Sequence, residues 1–188
     1  MKNRSIKIFA IGILLASALY SCKDLTVLNQ NPNGINPITA NPNLVMSTVL
    51  TETGKSFVNL GYQDIAGVMQ HTQKDGWSGG HNTYEWGGSQ SWASYYDILR
   101  NNQYVYDRSV TLNWEMHQGI SLVIKSMMFG LITDLWGDAP YSAALKGADG
   151  GTANTFPAYD SQEAIYTGIL ADLEKANTVT CSGLDSYH

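Results

Sequence analysis

Large rings set among glycines are the first residues with a chemistry to offer. Trp77, Tyr84 and Trp86 fall in Asp75–Gln90, a stretch containing five glycines. A sugar presents an apolar C–H face that stacks on an indole, and its hydroxyls need polar partners at the rim. Asn82, Asp75 and Gln73 stand close by in the chain to supply them. Trp77, Tyr84, Trp86, Asn82 and Asp75 are therefore the candidate ligand-binding residues. The competing reading folds these rings back onto an apolar core, where most large rings end up. Trp92, Tyr95 and Tyr96 have helical spacing. Core packing is the better reading there, Tyr96 being the ring with scope to turn toward the loop.

Reactive groups are sparse. Asp134 and Asp138 stand four apart, and two carboxyls at a set separation could act as acid and base on a glycosidic bond. They straddle Trp136-Gly137, however, where a helix end explains both more cheaply as capping and turn residues. His71 and Asp75 are also four apart, with no second histidine at metal-ligand spacing. No GxSxG is present, and Gly147–Gly151 lacks the Lys-Ser/Thr that completes a phosphate loop. Catalytic residues, metal ligands and a cofactor site are thus assigned to none of these positions. The reading is a binding protein, not an enzyme.

Composition bounds the partners. The 188 residues are 44% hydrophobic and 14% charged, with 11 Lys+Arg against 16 Asp+Glu and no basic run. That suits one domain with a real core and excludes a nucleic-acid groove.

The chain opens with Lys2, Arg4 and Lys7, follows them with an almost wholly apolar Ile6–Leu19, and reaches Leu19-Tyr20-Ser21-Cys22. This is the pattern of a secretory signal, residues 1–21, ending in a lipobox whose Cys22 is the lipidation site; Tyr20 stands where a small residue is usual. The alternative is an ordinary signal with a chance cysteine. Cys181 is the other cysteine, so a lipidated Cys22 leaves no intramolecular disulfide. Cleavage removes three positive charges and leaves eight basic and sixteen acidic residues. A chain that acidic gains nothing from anionic lipid, so acyl chains would do the anchoring.

Residues 22–42 are rich in Asn, Pro and Gly and read as a tether. Beyond it the periodicity is helical. Asn41-Pro42 predicts an N-cap and first turn for a helix through Leu44, Val45, Val49 and Leu50, and Gln63–Lys74 predicts a second. Ser91–Asp107 predicts a third with Trp92, Tyr95, Leu99 and Tyr106 on one stripe. Ile120, Val123, Ile124, Met127, Leu131, Ile132 and Leu135 recur at three and four residues, the clearest helix of all. Asp160 and Glu163 predict a capping box for a last helix through Ala176, followed by a polar tail holding Cys181. No segment alternates at period two. The expected fold is all-α: antiparallel helix pairs of tetratricopeptide-like type with long irregular loops.

Ile132-Thr133-Asp134-Leu135-Trp136-Gly137-Asp138-Ala139-Pro140-Tyr141-Ser142-Ala143-Ala144-Leu145 resembles the D-L-[WF]-G-D-x-P-Y-x-x-A segment of the SusD/RagB family of nutrient-binding outer-membrane lipoproteins. Tyr159–Tyr166 and Ile169–Ala176 are similar to that family's next helix, and the lipobox, the tether and Arg100-Asn101-Asn102 fall in the family's order. The resemblance implies a lipid-anchored, surface-exposed protein of the cell outer membrane. It would bind a nutrient, most simply an oligosaccharide, and deliver it to a TonB-dependent (SusC-like) transporter. Family members are longer, which implies that residues 43–188 are the N-terminal helical part of such a domain. The rival from another class is a helical-repeat adaptor lipoprotein that binds a protein partner and no small ligand.

Overall fold

The computed structural model describes residues 40–72 and 91–185, and among them every regular element is helical. Helix α1 spans Pro42–Asn59. Asn41 caps it, its side-chain oxygen accepting from the Asn43 amide at 3.0 Å, with Pro42 in the first turn where a missing N–H costs nothing. The helix does not break before residue 63. It continues through a π-helical stretch, Leu60–Ile65, and one further turn, α2 (Ala66–Val68). Gln70, at φ +56°, then turns the backbone into the left-handed region, where its side-chain amide donates to the Gly67 carbonyl. Of the expected second helix over Gln63–Lys74, the described helical residues, through Val68, are therefore the tail of the first.

Helix α3 covers Ala93–Leu112, a turn beyond the expected end at Asp107, and stops where Asn113 adopts left-handed angles. Two residues later α4 begins and runs Glu115–Trp136. So short a connection forces α3 and α4 antiparallel. By length and hydropathy α4 is apolar enough to cross a bilayer. Here it is the central core helix, burying Ile124, Met128, Phe129 and Ile132 between its neighbours.

The last long helix, α6, spans Gln162–Asp185, so Cys181 lies on a helix rather than in a tail. A short turn of helix, α5 (Thr152–Thr155), precedes it. Gly119 of α4 meets Thr180 of α6 and Gly130 meets Ile169, which makes this pair antiparallel too. Each long helix packs on the next in chain order, α1 on α3, α3 on α4, α4 on α6. His117 at the start of α4 also reaches Asn43 at the start of α1, 2.6 Å between Nε2 and Oδ1.

The predicted capping box is not formed. Ser161, not Asp160, caps α6, its hydroxyl accepting from the Ala164 amide at 3.3 Å. Gln162, the first helical residue, donates its own amide to Asp138 Oδ1 at 3.0 Å. Asp160 is engaged elsewhere, with residues nearly twenty positions earlier.

Candidate functional site

Between α4 and α6 the chain makes an excursion from Gly137 to Tyr159 whose two ends are tied together. Gly137, at φ +77°, ends α4, and the Thr133 hydroxyl donates to its carbonyl at 2.7 Å. Only glycine reaches that angle cheaply. Ala139 and Asp160 then exchange backbone hydrogen bonds of 3.2 and 3.0 Å, an isolated antiparallel bridge. The Asp160 carboxylate accepts from the amides of Tyr141 and Ser142 at 3.0 and 2.8 Å and from the Ser142 hydroxyl at 2.8 Å. Those bonds, the Ser142 amide foremost, hold its carboxyl below the usual aspartate range.

Pro140 and Tyr141 are the pivot. The Tyr96 hydroxyl, from the first turn of α3, donates to the Pro140 carbonyl at 2.7 Å. Burial, with Tyr159 and Asp160 nearby, pushes the Tyr96 hydroxyl up to about 12, so it remains a donor at every physiological pH. Tyr141 lays its ring edge-on to Phe129, centroids 4.7 Å apart, and donates its hydroxyl to Asp172 Oδ2 at 3.1 Å. Asp172 also pairs with Lys125 at 2.7 Å. Burial first, and the Asp172 charge second, raise the Tyr141 hydroxyl well above its ordinary value.

This arrangement builds an open, apolar pocket of ≈ 280 Å³ between the start of α3 and the excursion, lined by Trp92, Tyr96, Pro140, Ala144, Leu145 and Pro157. Trp92 is its hub. Its ring lies 5.9 Å from Tyr96, 5.9 Å from Trp136 and 5.8 Å from Tyr159. Rings at such tilted and edge-on geometries hold one another rigidly. Tyr159 and Phe156 nevertheless remain 61% and 76% exposed. An exposed ring face in such a cluster can receive the apolar face of a ring-shaped solute.

The residues singled out in the sequence fare differently. Cys22, Asp75, Trp77, Asn82, Tyr84 and Trp86 lie outside the described residues. Trp92, Tyr95 and Tyr96 do pack against the core, as their spacing predicts. Trp92 and Tyr96 also line the pocket, a second role that spacing alone does not reveal. The carboxylates Asp134 and Asp138 are structural. Asp134 accepts from the Tyr166 hydroxyl at 2.6 Å and Asp138 from the α6 amide described above. Pro157 and Tyr159 were not anticipated as site residues; the signal was a pair of rings, Phe156 and Tyr159, in a Gly/Ala-rich loop without helical spacing. No group of three metal-ligating side chains occurs among the described residues.

Comparisons with known proteins agree with this architecture. A crystal structure of a SusD homologue from Bacteroides fragilis NCTC 9343 superposes with a TM-score of 0.61 at 22% identity, over 77% of this chain and 29% of that one. The chain thus spans less than a third of that homologue's length. No curated protein matches it in sequence. Residues 32–186 match the SusD-like family model described as starch-binding and associating with the outer membrane. With most of its length covered by that match and its helices arranged as in a SusD homologue, the chain belongs to the SusD-like family of starch-binding proteins associated with the outer membrane.

Proposed function

We propose that this protein is a surface lipoprotein that captures an oligosaccharide on the Trp92 pocket and passes it to a TonB-dependent transporter. The observation that carries the reading is an open apolar pocket lined by Trp92 and Tyr96, with the exposed Tyr159 ring packed against Trp92, in a chain of this family. Stacking of a sugar face on the Trp92 indole supplies affinity, and groups from the excursion set the orientation. Capture involves no bond making or breaking. Moderate affinity suits the task, since delivery requires release. Cys22 carries the lipid that holds the chain at the outer membrane, and Trp77, Tyr84, Trp86, Asn82 and Asp75 are the further candidate sugar-binding residues.

Titration with maltoheptaose, followed by tryptophan fluorescence, tests the capture step. Tyr159→Ala is the informative variant because Tyr159 is mostly exposed, so the fold survives its loss. Binding weakened about 5- to 30-fold, about 1–2 kcal/mol for one lost stacking partner, supports the pocket; unchanged binding removes it. Trp77→Ala and Trp86→Ala test the loop in the same assay. Purification of the tagged protein from its own outer membranes tests the partner: a large TonB-dependent barrel in the eluate is the expected outcome.

A further inference from the structure

The pocket beside Trp92 is poor in polar atoms. Its walls carry two on side chains, the Tyr96 hydroxyl and the Trp92 indole nitrogen; the other side chains lining it are alanine, leucine and proline. The Tyr96 hydroxyl gives its hydrogen to the Pro140 carbonyl, so that bond is made before any ligand arrives. A sugar ring drawn fully inside would give up the water on several hydroxyls and find too few partners to replace it. A hydrocarbon group loses nothing by the same move and gains its burial.

Shape narrows the choice further. The Trp92 and Tyr96 rings stand at 82° to each other, centroids 5.9 Å apart. A flat ring stacked on either one therefore meets the other edge to face, and both arrangements are favoured between aromatic rings. An alkyl chain gains burial there but neither of those contacts. An apolar cavity of about 150 Å³ stays dry and takes up benzene; this pocket, at ≈ 280 Å³, holds a ring of that size with room for its substituents. It is also open, so a guest inside can remain joined to something outside.

Leu145 supplies an independent sign. Its φ of +66° is left-handed, an angle that glycine or asparagine adopts readily and leucine only at a cost. The leucine side chain lines the pocket and packs, partly buried, on the core cluster. A strained residue thus completes the apolar wall, where an easier one would leave a gap or a polar group.

We propose that the Trp92 pocket takes an aromatic group carried by the glycan, so that the ligand, on the oligosaccharide reading above, is an aryl glycoside. A phenol-derived ring, joined to the sugar through the glycosidic oxygen, fills the pocket. The sugar stays at the mouth, where Tyr159 packs on Trp92 and is 61% exposed, and where water still reaches the hydroxyls.

Four ligands titrated calorimetrically into the full chain test this: methyl, hexyl and phenyl β-maltoside, and maltoheptaose. Hexyl and phenyl carry the same number of carbons, so their difference reads the flatness and aromaticity of the guest. Phenyl maltoside is expected to bind about ten-fold or more tighter than methyl maltoside, with hexyl maltoside between them. Leu145→Asn fits the left-handed angle and sets an amide in the wall. It should cut the phenyl advantage to about three-fold or less at an unchanged thermal midpoint, and leave methyl maltoside as it was. Parity of phenyl and methyl maltoside in a chain that binds maltoheptaose overturns the aryl site and leaves the oligosaccharide reading standing. Hexyl maltoside at or above phenyl, or a phenyl advantage untouched by Leu145→Asn, also overturns it. Phenyl maltoside bound without maltoheptaose upholds the aryl site and ends the oligosaccharide reading; no binding by any of the four ends both.

Discussion

The Asp160 carboxylate accepts from two consecutive amides and one hydroxyl, and each of those bonds favours its ionised form. Its pKa is lowered on folding, so its contribution to stability is complete above the ordinary aspartate range, about 3.9, and disappears as pH falls through the lower folded value. Between pH 8 and 5 the turn should therefore be insensitive to pH. Comparing thermal midpoints of the natural chain and Asp160→Asn isolates the effect: a gap that is constant from pH 8 to 5 and closes in stronger acid is expected. Hydroxyls without partners behave oppositely. Thr53 is buried and its oxygen is unbonded, so Thr53→Val should leave the thermal midpoint unchanged or raise it. Ser126, whose hydroxyl donates to the Leu122 carbonyl at 2.9 Å, lacks that freedom, and Ser126→Ala should cost about 0.5–1.5 kcal/mol in denaturant unfolding.

Between elements, a close approach is made where α6 passes Tyr141. A Cβ at Gly168 would overlap the Tyr141 hydroxyl and the ring carbons beside it. Gly168→Ala should therefore expel Tyr141 from its contact with Phe129 and Asp172, costing about 1–3 kcal/mol and loosening Pro140 in the wall of the Trp92 pocket. Loss of the upfield-shifted Tyr141 ring signals by NMR, together with a lower thermal midpoint, is the readout. These close contacts were not legible in the residues, whereas the long helices were. The apolar recurrence from Ile120 to Leu135 identifies α4 because a central helix buries more than one side. Ile65 and Met69 show the same recurrence in the supposed second helix, yet both stay exposed, and the chain leaves the helix at Gln70. Periodicity reports an apolar face; it does not report whether anything covers it. The capping pattern at Asp160 and Glu163 misled for a related reason. A local motif competes with distant donors, and Tyr141 and Ser142 were the stronger ones. The Gly137 turn was legible because its demands on glycine and proline are local.

For the molecule as a whole, burial is uneven. Val123 and Met127 on α4, and Leu170 and Leu173 on α6, are between 39% and 66% exposed on one helix pair. Apolar side chains left exposed on packed helices favour association where they adjoin one another. Sedimentation should show concentration-dependent self-association of the purified chain, and the double variant Val123→Gln, Leu170→Gln should abolish it without lowering the thermal midpoint. A monomer at all concentrations would mean that the stripe is too interrupted to act as a surface. The Trp92 pocket lies on other residues, so the maltoheptaose titration should read the same in both forms.

The tie between residues 139–142 and Asp160 gives the pocket a property of its own. It works as a clasp at the base of a bight, so what happens between Leu145 and Pro157 is not transmitted to α4 or α6. Doubling the length of a flexible loop closed in this way costs only about 0.6 kcal/mol. Insertions and exchanges there can reshape one wall of the pocket, where Leu145 and Pro157 sit, while Trp92 and Tyr96 remain fixed on α3. Such a design lets ligand preference drift quickly across descendants of one scaffold, with no relearning of how to fold.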